Sequence, residues 1–149
     1  MLLARLAMMA NCYEDAQEIL ERIVDKQPRF IAAWHDLGTV LKERHEYEEA
    51  VAVLEKALAL EPENALTHYY HGAALAMAAR PAEAVKSYEK AVSIDPELPG
   101  AHIGLGHVLK TVGDQEGGIA AYRRAIELRP NFGETYYSLA NLKTFRFTE

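Results

Sequence analysis

His68 and His71 stand three residues apart, a spacing that on a helix turns two imidazoles toward one metal ion. A zinc site wants three or four ligands, so this pair reads instead as two core histidines with hydrogen-bonded tips. His45-Glu46 opens a His-Glu-x-x-His pattern, but residue 49 is Glu, and the pattern fails. Gly104-Leu-Gly106 begins like a dinucleotide-binding loop, yet the third glycine is missing and no strand precedes it. No Gly-x-Ser-x-Gly turn or phosphate-cradling glycine loop occurs. Cys12 has no activating partner nearby and reads as inert. The acidic stretches 14–18 and 46–49 fall in first turns of helices, where the helix dipole favours negative charge. No catalytic residue, cofactor or metal is therefore expected, and the chain by itself is not expected to be an enzyme.

What these residues have in common is a spacing. Pro28, Pro62, Pro96 and Pro130 stand 34 residues apart. Small residues keep the same step: Ala16, Ala50, Ala84 and Gly118; Ala57, Ala91 and Ala125, with Ile23 as the exception; Ala4, Gly38, Gly72, Gly106 and Ala140. Large ones do too: Trp34, His68, His102 and Tyr136; Leu20, Leu54, Tyr88 and Tyr122. A period of this length marks a repeat architecture. Each period holds two helical patterns and a break. Trp34, Leu37, Val40 and Leu41 form one apolar face, and Val51, Leu54 and Leu58 form the next after His45-Glu46. Proline closes the second helix. No stretch alternates at period two, so no sheet is expected. Helices are predicted at 1–10, 14–26, 31–44, 47–60, 65–78, 81–94, 99–112, 115–128 and 133–145. The small residues belong where two helix axes come closest.

The pattern Trp34, Leu37, Gly38, Leu41, Ala50, Leu54, Ala57, Pro62 resembles the tetratricopeptide repeat. It recurs as His68, His71, Gly72, Leu75, Ala84, Tyr88, Ala91, Pro96 and as His102, Leu105, Gly106, Leu109, Gly118, Tyr122, Ala125, Pro130. Histidine in place of the large aromatic, and Gly118 in place of alanine, are its departures. The resemblance implies an all-α fold, a right-handed superhelix of stacked antiparallel helix pairs. It divides the chain into a partial repeat at 1–30, repeats at 31–64, 65–98 and 99–132, and a terminal helix at 133–149 expected to stop short of its continuation.

The resemblance also implies a function. Such arrays are protein–protein interaction scaffolds that hold a peptide or protein segment in a concave groove lined by the first helix of each pair. Carried onto this chain, the groove positions are His35, Asp36, Thr39, Lys42 and Glu43, then Leu66, Tyr69, Tyr70, Ala73 and Met77. Ile103, His107, Lys110 and Thr111 follow, then Glu134, Tyr137, Ser138, Asn141 and Phe145. Tyrosine supplies contact area at low entropy cost and keeps a polar tip. Chaperone-tail binders of this family use a clamp of Lys, Asn, Asn, Lys and Arg. The matching positions here hold His35, Thr39, Tyr70, Gly100 and Gly104, so that subtype is rejected. Residues 138–147 resemble the junction where a bacterial repeat array precedes a sulfotransferase domain. The alternative reading is therefore an N-terminal regulatory or substrate-presenting array of a larger transferase.

Composition bounds the partners. Of 149 residues, 50% are hydrophobic and 26% are charged, close to the globular average, which argues against disorder. Sixteen basic against 22 acidic residues give a net charge of −6, so nucleic acid is not an expected partner. No apolar run is long enough to span a bilayer, and no membrane partner is expected. Met1–Ala10 is apolar but carries Arg5 inside it, which fits an amphipathic helix rather than an export signal. With the single thiol of Cys12, a cytoplasmic location is expected. Leu139, Leu142, Phe145 and Phe147 form an apolar stripe at the end, and self-association through the exposed terminal helices is expected.

Overall fold

The computed structural model describes residues 1–131 and 133–144, with backbone alone for residues 134 and 142–144. The helices are α1 (Leu2–Met9), α2 (Tyr13–Lys26), α3 (Ile31–Glu43), α4 (Tyr47–Leu60), α5 (Ala65–Met77), α6 (Pro81–Ile94), α7 (Pro99–Thr111), α8 (Gln115–Leu128) and α9 (Gly133–Thr144). Among the described residues there is no strand.

One turn joins the two helices of every pair. Asn11, His45, Ala79 and Gly113 take left-handed backbone, with φ of 58°, 64°, 57° and 92°. That reversal aims the next amide back at the helix just ended. Cys12, Glu46, Arg80 and Asp114 donate to the carbonyls of Ala7, Leu41, Leu75 and Leu109, each at 2.9 Å. Carbonyls that a helix end would leave open are thereby satisfied. Pro81 and Pro99 stand at the first position of α6 and α7, where a missing N–H costs nothing. Side chains cap two starts: Asn64 accepts from the Thr67 amide at 3.0 Å, and Asp114 from the Gly117 amide at 2.9 Å.

A second recurring device joins one pair to the next. Gln27, Glu61, Asp95 and Arg129 leave the helical region at the ends of the second helices, with φ between −128° and −143° and ψ between 71° and 93°, because helix is disfavoured for a residue ahead of proline. The proline carbonyl is then taken up by the large residue six positions on. Trp34 Nε1 donates to Pro28 at 2.7 Å, and Nε2 of His68 and of His102 donates to Pro62 and Pro96 at 2.8 Å. A carbonyl only accepts, so both imidazoles carry their proton on Nε2. Indole and imidazole do the same work, which is why histidine can stand where the repeat pattern has tryptophan.

The small residues lie where the axes meet. A Cβ built on Gly38 would stand 3.0 Å from Leu54, one on Gly72 3.0 Å from Tyr88, and one on Gly106 2.7 Å from Tyr122. Each notch receives the bulky residue of its partner helix. Ala16, Ala50, Ala57, Ala84 and Ala91 are fully buried. Each first helix packs on its second, and the first helices also touch one another, α3 with α5 and α5 with α7. The pairs stack as a right-handed superhelix whose inner face is made by the first helices.

Candidate functional site

Along the inner face, the expected groove positions divide into exposed and engaged ones. Met77, His107, Lys110 and Thr111 are exposed, as are Glu43 and Leu66. Thr39, Lys42, Tyr69, Tyr70, Ala73 and Ile103 are half-buried, as are Ser138 and Asn141. Tyr137 is 70% exposed. The Glu134 side chain and Phe145 lie outside what is described. So do Phe147, the Leu142 side chain and part of the 138–147 junction.

His35 departs from expectation. It is 7% exposed and sits beneath the face, not on it. Its Nε2 meets Thr67 Oγ1 at 2.8 Å, and its ring lies 4.8 Å from that of Tyr70. Both partners belong to α5, so the next repeat closes over it. Burial pushes its pKa below the ordinary value, outweighing the carboxylates of Asp36 and Glu61. Asp36 is engaged too, by Arg5 Nε at 2.8 Å across the α1–α3 gap. The hydroxyls of Thr39 and Thr111 donate to the carbonyls of His35 and His107, both at 2.9 Å. Such bonds leave these two residues poor readers of a partner.

The histidine pair 68 and 71 is split between separate oxygens. His68 is held by Pro62, as above. His71 Nδ1 meets Ser87 Oγ at 2.8 Å, and its Nε2 lies 3.8 Å from Glu55. Burial lowers the His71 pKa. Among the described residues no three His, Cys, Asp or Glu side chains converge, and no helix is long and apolar enough to cross a membrane.

The structure gathers Tyr69, Ile103 and His107 at the junction of α5 and α7, while the Tyr70 ring packs on His35 of α3. The Tyr69 ring stands 5.2 Å from Tyr70 and 6.2 Å from Tyr88. Beside them opens a cavity of about 330 Å³, bounded by Tyr69, Tyr88, Gly100, Ile103, Gly104, His107 and Arg129. The hydroxyl of Tyr122 is 2.8 Å from His107 Nδ1, tying the cavity wall to α8. Tyr88 and Arg129 lie outside the expected groove positions, and Gly100 and Gly104 are expected there only as positions of the chaperone-tail clamp. Tyr88 lies on a second helix, and the two glycines look like lost side chains until their neighbours are seen. Burial, helped by Tyr69, pushes the Tyr88 phenol well above its ordinary pKa, so it stays protonated.

Two family models described as "Tetratricopeptide repeat" match the chain, at residues 35–99 and 99–132. Several solved structures share its shape. MamA from Desulfovibrio magneticus RS-1 superposes with a TM-score of 0.85 at 22% identity, over 97% of this chain and 81% of that one. YrrB, described as "a TPR protein with an unusual peptide-binding site", gives 0.75 at 22% identity, over 96% and 74%. The first TPR of Spaghetti (RPAP3), bound to the HSP90 peptide SRMEEVD, gives 0.74 at 20% identity, over 76% and 90%. No curated protein sequence matches the chain.

Proposed function

The chain belongs to the tetratricopeptide repeat family, and from that premise we propose that it is a non-catalytic scaffold whose inner face binds a peptide or protein segment. The observation that carries this reading is the cluster at the α5–α7 junction. There, Tyr69 and Ile103 present apolar area beside a cavity of about 330 Å³. Tyrosine-rich concave surfaces are what contact hot spots are made of. YrrB and the Spaghetti domain, described above with a peptide-binding site and a bound peptide, lend the same support. The spacing of the inner-face residues and the absence of a charged clamp at His35, Thr39, Tyr70, Gly100 and Gly104 favour a partner other than a chaperone tail. The lone exposed thiol of Cys12 supports a reducing compartment such as the cytoplasm.

The test begins with peptides selected from a displayed random library against the whole chain. Affinities are then compared for the native chain and for Tyr69→Ala combined with His107→Ala. Losing two central contacts should weaken binding by about tenfold or more, with unchanged helicity by circular dichroism. Equal affinity in the double variant would place binding elsewhere.

A further inference from the structure

The first helix pair differs from those after it. α1 has eight residues where α3, α5 and α7 each have thirteen. The opening turn that carries Ile31 and Trp34 into the core of the α3–α4 pair has no counterpart, among the described residues, beside the end of α2. A cavity of about 300 Å³ opens there, lined by Leu3, Ile19, Arg22, Ile23, Lys26 and Gln27. Leu3 and Leu6 are 70% and 51% exposed, whereas Leu37 and Val40, one period on, are buried. The sequence changes at the same place. Ile23 stands where α4, α6 and α8 have Ala57, Ala91 and Ala125, and Lys26 where they have Leu60, Ile94 and Leu128.

Asp15, Ile19, Arg22 and Lys26 are spaced four, three and four apart, which makes one straight stripe along α2. Glu18 flanks it on one side and Ile23 on the other. Asp15, Glu18, Arg22 and Lys26 are all exposed, and among the described residues none of them makes an ion pair. Acids hold the start of the helix and bases its end. The helix dipole favours that order, yet α4, α6 and α8 have the same dipole and no cation at the place of Lys26. The order is also complementary to itself. In two helices packed antiparallel about a two-fold axis, each residue faces the one whose number completes a fixed sum. With a sum of 41, Asp15 faces Lys26 of the second copy, and Ile19 faces the stem of Arg22. The Arg22 head then falls beside Glu18 of the second copy. Each pairing occurs twice. On the α1 side of the stripe, Ile19, Ile23 and Leu3 meet their own copies and close the cavity.

We propose that this end face of the array is a dimer interface whose occupant is a second copy of the chain, docked with α2 antiparallel to α2. It shares no residue with the cluster at Tyr69 and Ile103, so it stands independently of the peptide-binding groove. α2 is about 21 Å long, and two short helices on each side bury less than the roughly 800 Å² per partner of a standard complex. The dimer is therefore reversible, with a Kd on the order of 100 μM.

Sedimentation equilibrium of the full chain, from about 10 μM to 1 mM, should show a monomer–dimer equilibrium. Asp15→Lys sets two lysines face to face at each end of the interface, and Lys26→Glu sets two acids there. Each variant alone should dimerise about tenfold more weakly or worse. Mixed in equal amounts, the two variants regain both opposite-charge pairs, and a heterodimer should form about as tightly as the native dimer. Each chain keeps its own substitution in that mixture, so a folding defect cannot produce the rescue, and circular dichroism should show native helicity in both. A native chain that stays monomeric throughout, single variants that dimerise like the native chain, or a mixture no stronger than its components would each overturn the proposal. Species growing beyond the dimer would mean head-to-tail stacking and would overturn it too.

Discussion

Ala79 and Gly113 occupy the same place in successive repeats, and exchanging their identities should move stability in opposite directions. Both sit in the left-handed turn between helices, at φ 57° and 92°. A side chain in that region costs roughly 1–2 kcal/mol because Cβ crowds the following carbonyl. Ala79 carries that cost in the native chain. Ala79→Gly removes it but gives the unfolded chain more freedom, worth about 0.4–1 kcal/mol the other way. The expected net gain is about 0.5–1 kcal/mol. Gly113→Ala reverses the ledger. Nothing stands within 4 Å of a Cβ built there, so the effect is pure backbone and the expected loss is about 0.5–1 kcal/mol. For a chain of this size such changes move the melting temperature by about 1–4 °C. Urea unfolding followed by circular dichroism reads both variants, with a constant m-value as the control that the array still unfolds as a unit. A lower midpoint for Ala79→Gly, or none of the expected loss for Gly113→Ala, would refute the account of this turn.

Other consequences follow from the same contacts. Gly106→Ala drives a Cβ to 2.7 Å from the Tyr122 ring and should cost about 1–3 kcal/mol. Adding Tyr122→Leu, the partner used at Gly38, should recover more than about 0.5 kcal/mol relative to additivity, and an additive result would show that the ring is not the obstacle. His35 and His71 both have pKa values lowered from 6.5 by burial. The unfolded chain therefore takes up their protons first, and acid favours unfolding. Stability should be fully present above about pH 6.5 and fall below it, by at most about 1.4 kcal/mol per pH unit for each histidine. A flat profile between pH 7 and the depressed pKa values would contradict the burial of these rings. Finally, α1 exposes Leu2, Leu3, Leu6 and Met9, and we propose that this face supports self-association. Light scattering should show mass rising with concentration, and Leu2→Lys with Leu6→Lys should abolish the rise.

The sequence carried the fold because every element of it repeats. Proline, glycine and alanine at one phase give helix ends and close approaches in each period. The expected spans 31–44, 65–78 and 99–112 differ from α3, α5 and α7 only at the last residue, where the chain turns toward the left-handed position. The inner face was legible as a set of phases, not as a surface. His35 and Tyr69 share a phase, yet one is buried and the other half-exposed. What separates them is the helix that follows: α5 brings Thr67 and Tyr70 over His35, whereas α7 brings Gly100 and Gly104 alongside Tyr69. Asp36 is likewise removed from the groove by Arg5, which no repeat pattern pairs with it.

That contrast shows where the inner surfaces of successive repeats diverge. A repeat must keep the residues that seat its own two helices, so Gly38, Gly72 and Gly106 and the bulky groups facing them have little freedom. The bulky group itself can change size if a second neighbour yields. Leu54 lets position 70 remain tyrosine, and the junction above it is sealed. Tyr88 is longer and reaches past Gly72 to the next first helix, which has room for it only because position 104 is glycine. Leucine in place of Tyr88 would leave Gly104 without its cover and withdraw the phenol from the groove. Leu54 and Tyr88 thus satisfy the same notch while producing opposite surfaces, one closed and one open. A bulkier residue buried on the outer helix, together with the glycine it meets on the next first helix, therefore reshapes the inner face.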